Sequence, residues 1–118
     1  MKHQSLRQAR AIYALKLEQS LRVMVERLQA VDEVTRISVF GSYARGRRDL
    51  FTDLDTLVVM DTQMGLMERL KYLYSTLALP VDVDILCYTV EEFDSLKEVQ
   101  PLKGILKEEQ LLYEKKPL

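Results

Sequence analysis

The sequence predicts an α/β fold of the α+β kind, a small mixed β-sheet flanked by helices in a single domain over residues 1–118. Three observations predict it. Segments with apolar residues at helical spacing alternate with short runs rich in valine, isoleucine and phenylalanine. Those runs are bounded by Gly41, by the Thr52-Asp53 step and by Pro80, residue types that stop or start regular structure. A chain of 118 residues with 47% hydrophobic content suffices for one core and has no room for a second substrate-binding domain.

The first element is an N-terminal helix over about residues 4–30. Leu6, Tyr13, Leu17, Leu21, Met24, Val25 and Leu28 recur at spacings of three, four and seven, a stripe that the sequence assigns to the core. A strand follows at about Val34 to Phe40, then a short helix opening at Ser42. A second strand covers Asp53 to Met60, and a helix covers about Met64 to Leu77. On that helix Met64, Met67, Tyr72 and Tyr74 suit core packing, with a partner-binding surface as the alternative. After Pro80 the run Val81-Asp82-Val83-Asp84-Ile85-Leu86 alternates strictly and reads as a third strand. A helical stretch near Glu91 to Lys107, interrupted at Pro101, leads to a last strand at Leu111 to Glu114. The core of the domain thus spans about residues 34–114, with helices over the sheet and one side of its edge left open for substrate.

Candidate chemistry gathers at the strand ends. Ile37-Ser38-Val39-Phe40 stops at Gly41-Ser42-Tyr43-Ala44-Arg45-Gly46. If Ser42 opens a helix, its hydroxyl and the unpaired N–H groups of the first turn attract phosphate oxygens, and Arg45, Arg47 and Arg48 add positive charge. Taken singly, Ser42 as a simple N-cap and the arginines as a solvated face account for the same residues. Asp53 and Asp55 stand two apart on the next strand, so they face the same way with Cα atoms roughly 6.5 to 7 Å apart. Their side chains can converge on two divalent ions about 3.5 to 4 Å apart, although a polar, solvent-facing strand start has the same pattern. Asp82 and Asp84 likewise share one face of the third strand, with Val81, Val83 and Ile85 on the other. Charge on such a face is costly unless the face is wet or binds cations. Should this strand neighbour the second at about 4.8 Å, Asp82 or Asp84 completes a three-carboxylate cage for a hard cation such as Mg²⁺.

Composition narrows the remaining classes. A net charge of −1 with 30% charged residues offers no global attraction to nucleic acid. The solitary Cys87 excludes a disulfide framework and a cysteine-based zinc site within one chain, and a cytoplasmic protein is expected. No apolar segment approaches the roughly 20 residues needed to span a bilayer, and no signal-peptide core stands at the N-terminus. His3, isolated near the N-terminus, reads as a surface residue.

This ordered set resembles the minimal nucleotidyltransferases of the DNA polymerase β superfamily over about Val34 to Glu114. The G-S-x-A-R-G element is Gly41 to Gly46, the Ser-Asp-x-Asp strand is Thr52 to Asp55, and the third aspartate is Asp84. Asp84 is preferred to Asp82 because family members continue from it into a Thr-Pro-Glu-Glu-Phe helix start, matched here by Thr89-Val90-Glu91-Glu92-Phe93; Asp82 is the fallback. Three residues depart from the pattern: Thr52 replaces serine, Thr56 replaces an aliphatic residue, and Glu109 stands where glycine is common.

The resemblance implies a polymerase β-like fold and a Mg²⁺-dependent enzyme that moves a nucleoside monophosphate, AMP from ATP, to a hydroxyl acceptor. By the same resemblance Asp53, Asp55 and Asp84 are the catalytic residues and the ligands of two Mg²⁺ ions, with Mn²⁺ as a substitute. Gly41, Ser42 and Arg45 bind the nucleotide phosphates. It further implies a small helical HEPN-type partner, a toxin–antitoxin pairing and a tyrosine acceptor, with homo-oligomerisation as another way to shape the acceptor site. A non-catalytic subunit that neutralises a partner by contact is the alternative.

Overall fold

The computed structural model describes residues 5–116, so His3 and the expected helix start at position 4 lie outside the described residues. Helix α1, Leu6–Gln29, opens at Ser5. The Ser5 hydroxyl accepts the Gln8 N–H while the Gln8 side chain accepts the Ser5 N–H, which satisfies two donors at the helix start. Leu17, Met24 and Leu28 are fully buried, as the stripe predicts, but Leu6 is exposed and so are Ile12 and Leu15. A helix of 24 residues is about 36 Å long, whereas a seven-residue strand covers only about 23 Å. The first turns of α1 therefore overrun the sheet that buries the rest.

Among the described residues four strands form one sheet: β1 (Val34–Phe40), β2 (Leu54–Met60), β3 (Val83–Thr89) and β4 (Gln110–Glu114), in the order β3-β2-β1-β4. β1 runs antiparallel to both β2 and β4, and β2 runs parallel to β3, so the sheet is mixed as predicted. The third strand begins two residues later than its alternation suggests, because Asp82 meets β2 only through its carbonyl, which accepts the Leu54 N–H at 3.0 Å. Between the strands stand α2 (Gly41–Ala44), α3 (Leu66–Leu77), α4 (Val90–Leu96) and α5 (Leu102–Glu108). Thr89 caps α4 and Glu92 reaches back to the Thr89 N–H, the helix start that the Thr89 to Phe93 run promises.

One face of the sheet supplies the core. Ile37, Val58, Met60, Ile85 and Cys87 meet Met24 and Leu28 of α1 and Leu73 and Leu77 of α3. Thr56 also points inward, and its hydroxyl is accommodated by the Leu54 carbonyl at 3.3 Å and the Met24 sulfur at 3.4 Å, which explains how a polar residue replaces an aliphatic one there. The buried stripe of α3 is Arg69, Leu73 and Leu77; of the four residues expected in the core only Met64 packs against it, and Met67, Tyr72 and Tyr74 are exposed. Tyr74 nevertheless has a role at the sheet edge, where its hydroxyl accepts the outward Ile85 N–H at 2.9 Å. On the opposite face Arg36 lies under the Phe93 ring and pairs with Glu109. Glu109, the residue in place of glycine, thus ties the end of α5 to β1. No helix among the described residues is long and apolar enough to cross a membrane.

Candidate active site

Strand direction brings the singled-out residues to one end of the sheet. Because β1 is antiparallel to β2, the end of β1 meets the start of β2, with Phe40 opposite Asp55. Because β2 is parallel to β3, their starts coincide, with Asp55 opposite Asp84. Asp53 and Asp82 immediately precede these two strands. The turn after β1 closes against them: Gly41 has φ +71°, and a Cβ placed on it would lie 2.2 Å from Asp55 Oδ2. Glycine is needed there twice over, for a left-handed backbone and for the absence of a side chain where the carboxylate sits.

The helix after that turn is a single turn beginning at Gly41, with Phe40 rather than Ser42 at the cap position and no side-chain cap. Ser42 is half-buried within it. The three arginines expected to add loose positive charge are each engaged. Arg45 pairs with Glu108 at 3.2 Å, and Arg47 pairs with Asp49 at 2.6 Å. Arg48 lies over the buried Tyr43 ring and donates to the carbonyls of Tyr43 and Arg47 at 2.7 Å each. The Gly41 N–H also donates to Glu108, at 3.2 Å.

The loop leading to Asp53 is held from both sides. Thr52 is fully buried; its N–H and hydroxyl both bond Asp49, at 3.1 and 3.2 Å, so the hydroxyl conserved in the serine-to-threonine departure closes this loop. The Thr52 carbonyl accepts the Tyr13 hydroxyl of α1 at 2.8 Å. Burial, then Asp53, Asp82 and Asp49, raise the Tyr13 pKa, which places that hydroxyl in the field of the carboxylates. The sequence stripe assigned Tyr13 to packing alone, and nothing in its spacing signals the bond to Thr52. Glu108 was equally unmarked, one of two adjacent glutamates at a helix end.

Charge is in excess at this end of the sheet. Burial and then Asp82 and Asp84 raise the pKa of Asp53 against an opposing pull from Arg47. Burial and then Asp84 and Asp53 raise that of Asp55, with Arg45 opposing and Glu108 reinforcing. Asp84 thus acts on both Asp53 and Asp55, whereas Asp82 acts on Asp53. Oxygen donors under mutual repulsion suit a hard divalent cation, which takes oxygen ligands and relieves the repulsion. The side chains gather without closing on a common point: among the described residues no three of His, Cys, Asp or Glu form a ready metal-binding group.

Comparison with known proteins follows the same lines. A family model described as a nucleotidyltransferase domain matches residues 17–113. No curated protein matches the chain. Among solved structures, one from Sulfolobus solfataricus, provisionally described as a nucleotidyltransferase, is similar at 19% identity, covering 96% of this chain and 90% of that one with a TM-score of 0.54. A structure of the toxin–antitoxin pair MntA-HpeT is similar at 19% identity, covering 84% of this chain and 73% of that one with a TM-score of 0.53. At that identity the two structures establish a shared fold.

Proposed function

Because the chain belongs to the nucleotidyltransferase domain family, we propose that it transfers AMP from ATP to a hydroxyl acceptor, with Asp53, Asp55 and Asp84 as ligands of two Mg²⁺ ions. The observation that carries this reading is the register that sets Asp55 beside Asp84 while Gly41 abuts the Asp55 carboxylate. That juxtaposition joins a site suited to cations to the glycine turn that receives the phosphates in this reading. In the reaction the acceptor hydroxyl gives up its proton with help from Asp84, its oxygen forms a bond to the α-phosphorus, the bond from that phosphorus to the α–β bridging oxygen breaks, and pyrophosphate leaves with the negative charge. Divalent ions, when bound, lower the pKa of the acceptor hydroxyl and neutralise the leaving oxygens.

The chain's own residues position the reactants. Gly41 and Ser42 seat the distal phosphates and Arg45 offsets part of their charge. Asp84 is preferred over Asp82 as the third ligand because the parallel register sets it directly beside Asp55. Tyr13 and Asp49 hold the loop that presents Asp53. No histidine or cysteine base is required, since positioning and charge neutralisation carry most of phosphoryl-transfer catalysis.

The acceptor in this reading is a tyrosine of a small helical HEPN-type partner, with the chain as the antitoxin; the toxin–antitoxin pair in one structural neighbour supports the pairing with a partner protein. A second reading, neutralisation of the partner by contact alone, is favoured by the exposed Leu6, Ile12, Leu15, Met67 and Tyr72. Incubation with each α-labelled NTP, Mg²⁺ or Mn²⁺ and an extract of the source cells tests both. Label joined to a protein by the wild type and lost in Asp53→Asn and Asp55→Asn supports transfer. A folded wild type that labels nothing, yet still binds its partner, refutes transfer in favour of contact.

A further inference from the structure

We infer that Glu108 is a resident stand-in for substrate phosphate, a carboxylate that occupies Gly41 and Arg45 and leaves when a triphosphate seats; this rests on the phosphate seat proposed above. Glu108 comes from the end of α5, 67 residues beyond Gly41, and its Oε1 accepts the Gly41 N–H at 3.2 Å while its Oε2 pairs with Arg45 Nη1 at 3.2 Å. These are two of the three residues, with Ser42, that the transfer reading assigns to the nucleotide's oxygens. The position does not favour α5 itself, because a carboxylate in the last turn of a helix faces the negative end of the helix dipole. It also adds repulsion to Asp55. A group disfavoured by its own helix and by its neighbour is retained where it is by the two donors.

The adjacent glutamate shows the contrast. Arg36 and Glu109 are 14% and 9% exposed, so that pair is a lasting tether holding the end of α5 on β1. Arg45 and Glu108 are 60% and 36% exposed, so water and salt screen the pair and a dianionic phosphate competes for it. Glu109 fixes the backbone, and the Glu108 side chain is free to swing away from a fixed base.

Binding of a fluorescent mant-ATP in Mg²⁺ tests the inference on wild type, Glu108→Gln, Glu108→Asp, Arg45→Ala and the Arg45→Ala/Glu108→Gln double variant. Exposed ion pairs are weak, so Glu108→Gln is expected to lower Kd about two- to fivefold. Glu108→Asp, which keeps the charge but is one methylene too short to span both donors, is expected to move Kd the same way. The gain is expected to shrink by at least half when Arg45 is alanine. An unchanged or weakened affinity in Glu108→Gln overturns the inference, as does a gain that Glu108→Asp lacks or that persists undiminished without Arg45, since both describe a general field effect. Wild-type binding without the predicted gain refutes the role of Glu108 alone. Absence of binding in the wild type and every variant refutes the phosphate seat itself.

Discussion

Replacing Gly41 with alanine perturbs the site at one atom and separates two costs. At φ +71° an L-residue sits in the left-handed region, which costs about 1–2 kcal/mol. The new Cβ also lies 2.2 Å from Asp55 Oδ2, far inside contact distance, so the carboxylate must leave its rotamer at a further cost of about 0.5–1.5 kcal/mol. The sum is about 1.5–3.5 kcal/mol, at about 3–5 °C of melting temperature per kcal/mol for a domain of this size. Gly46 provides the control: it has φ +98° and nothing within 4 Å of an added Cβ, so Gly46→Ala carries backbone strain without the collision. Urea unfolding at pH 7 of both variants, each with and without Asp55→Ala, measures the difference as a double-mutant cycle. In the Asp55→Ala background the Gly41→Ala cost is expected to fall by about 1 kcal/mol while the Gly46→Ala cost stays the same. A Gly41→Ala cost that ignores Asp55 refutes the claim that glycine is required by the carboxylate, and with it the physical link between turn and acidic site.

Asp55→Asn is expected to stabilise the metal-free protein at pH 7. The folded-state pKa of Asp55 is raised, so wild-type stability falls as pH climbs from the unfolded carboxylate value of about 3.9 through the raised one, and stays reduced above it. Urea unfolding from pH 3 to 7 should show the variant's advantage vanish at the acid end. Glu109 has the opposite sign: burial pushes its pKa up, but hydrogen bonds with Arg36 and Ser38 and the Arg36 charge outweigh burial and hold it low. Its contribution is present above the unfolded value and is lost as pH falls through the folded one. Arg36→Ala or Glu109→Gly should each cost about 2–3 kcal/mol by stranding a largely buried charged partner, whereas an Arg36→Leu/Glu109→Leu pair should lie closer to wild type. Thr89→Ala should cost about 1 kcal/mol as a lost helix cap, and Glu92→Ala more, since Glu92 also pairs with the buried Arg69; thermal melts rank the two. Tyr13→Phe should cost about 1 kcal/mol and lower transfer activity, read in labelled-nucleotide assays beside Gln19→Ala, an exposed position, as a control on the same helix.

Much of the architecture was legible because local patterning and topology agree. Alternation at Val83 to Leu86 and the apolar run at Leu57 to Met60 mark strands, and the Thr89 and Glu92 spacing marks a helix start. Where expectation and structure part, length or geometry is the reason. Leu6 has the spacing of a core residue, but α1 is longer than the sheet that would bury it. Met67, Tyr72 and Tyr74 are apolar in type yet fall off the Arg69, Leu73 and Leu77 stripe that faces the core. Ser42 looks like a helix cap, but the cap falls two residues sooner, at Phe40, and the helix begins at Gly41.

The sequence by itself determined which residues are candidates for the chemistry: a glycine turn, two aspartates two apart, and a third acidic strand, since residue type and spacing are local properties. It also determined that they lie on strand ends. Only the tertiary structure decided how they meet, because strand order and direction are set by long-range packing. The parallel pairing of β2 with β3 sets Asp55 beside Asp84, and the antiparallel pairing of β1 folds Gly41 onto the same carboxylate. The partners of Arg45, Arg36 and Thr52 come from Glu108, Glu109 and Tyr13, 63, 73 and 39 residues away, separations over which no sequence period carries information.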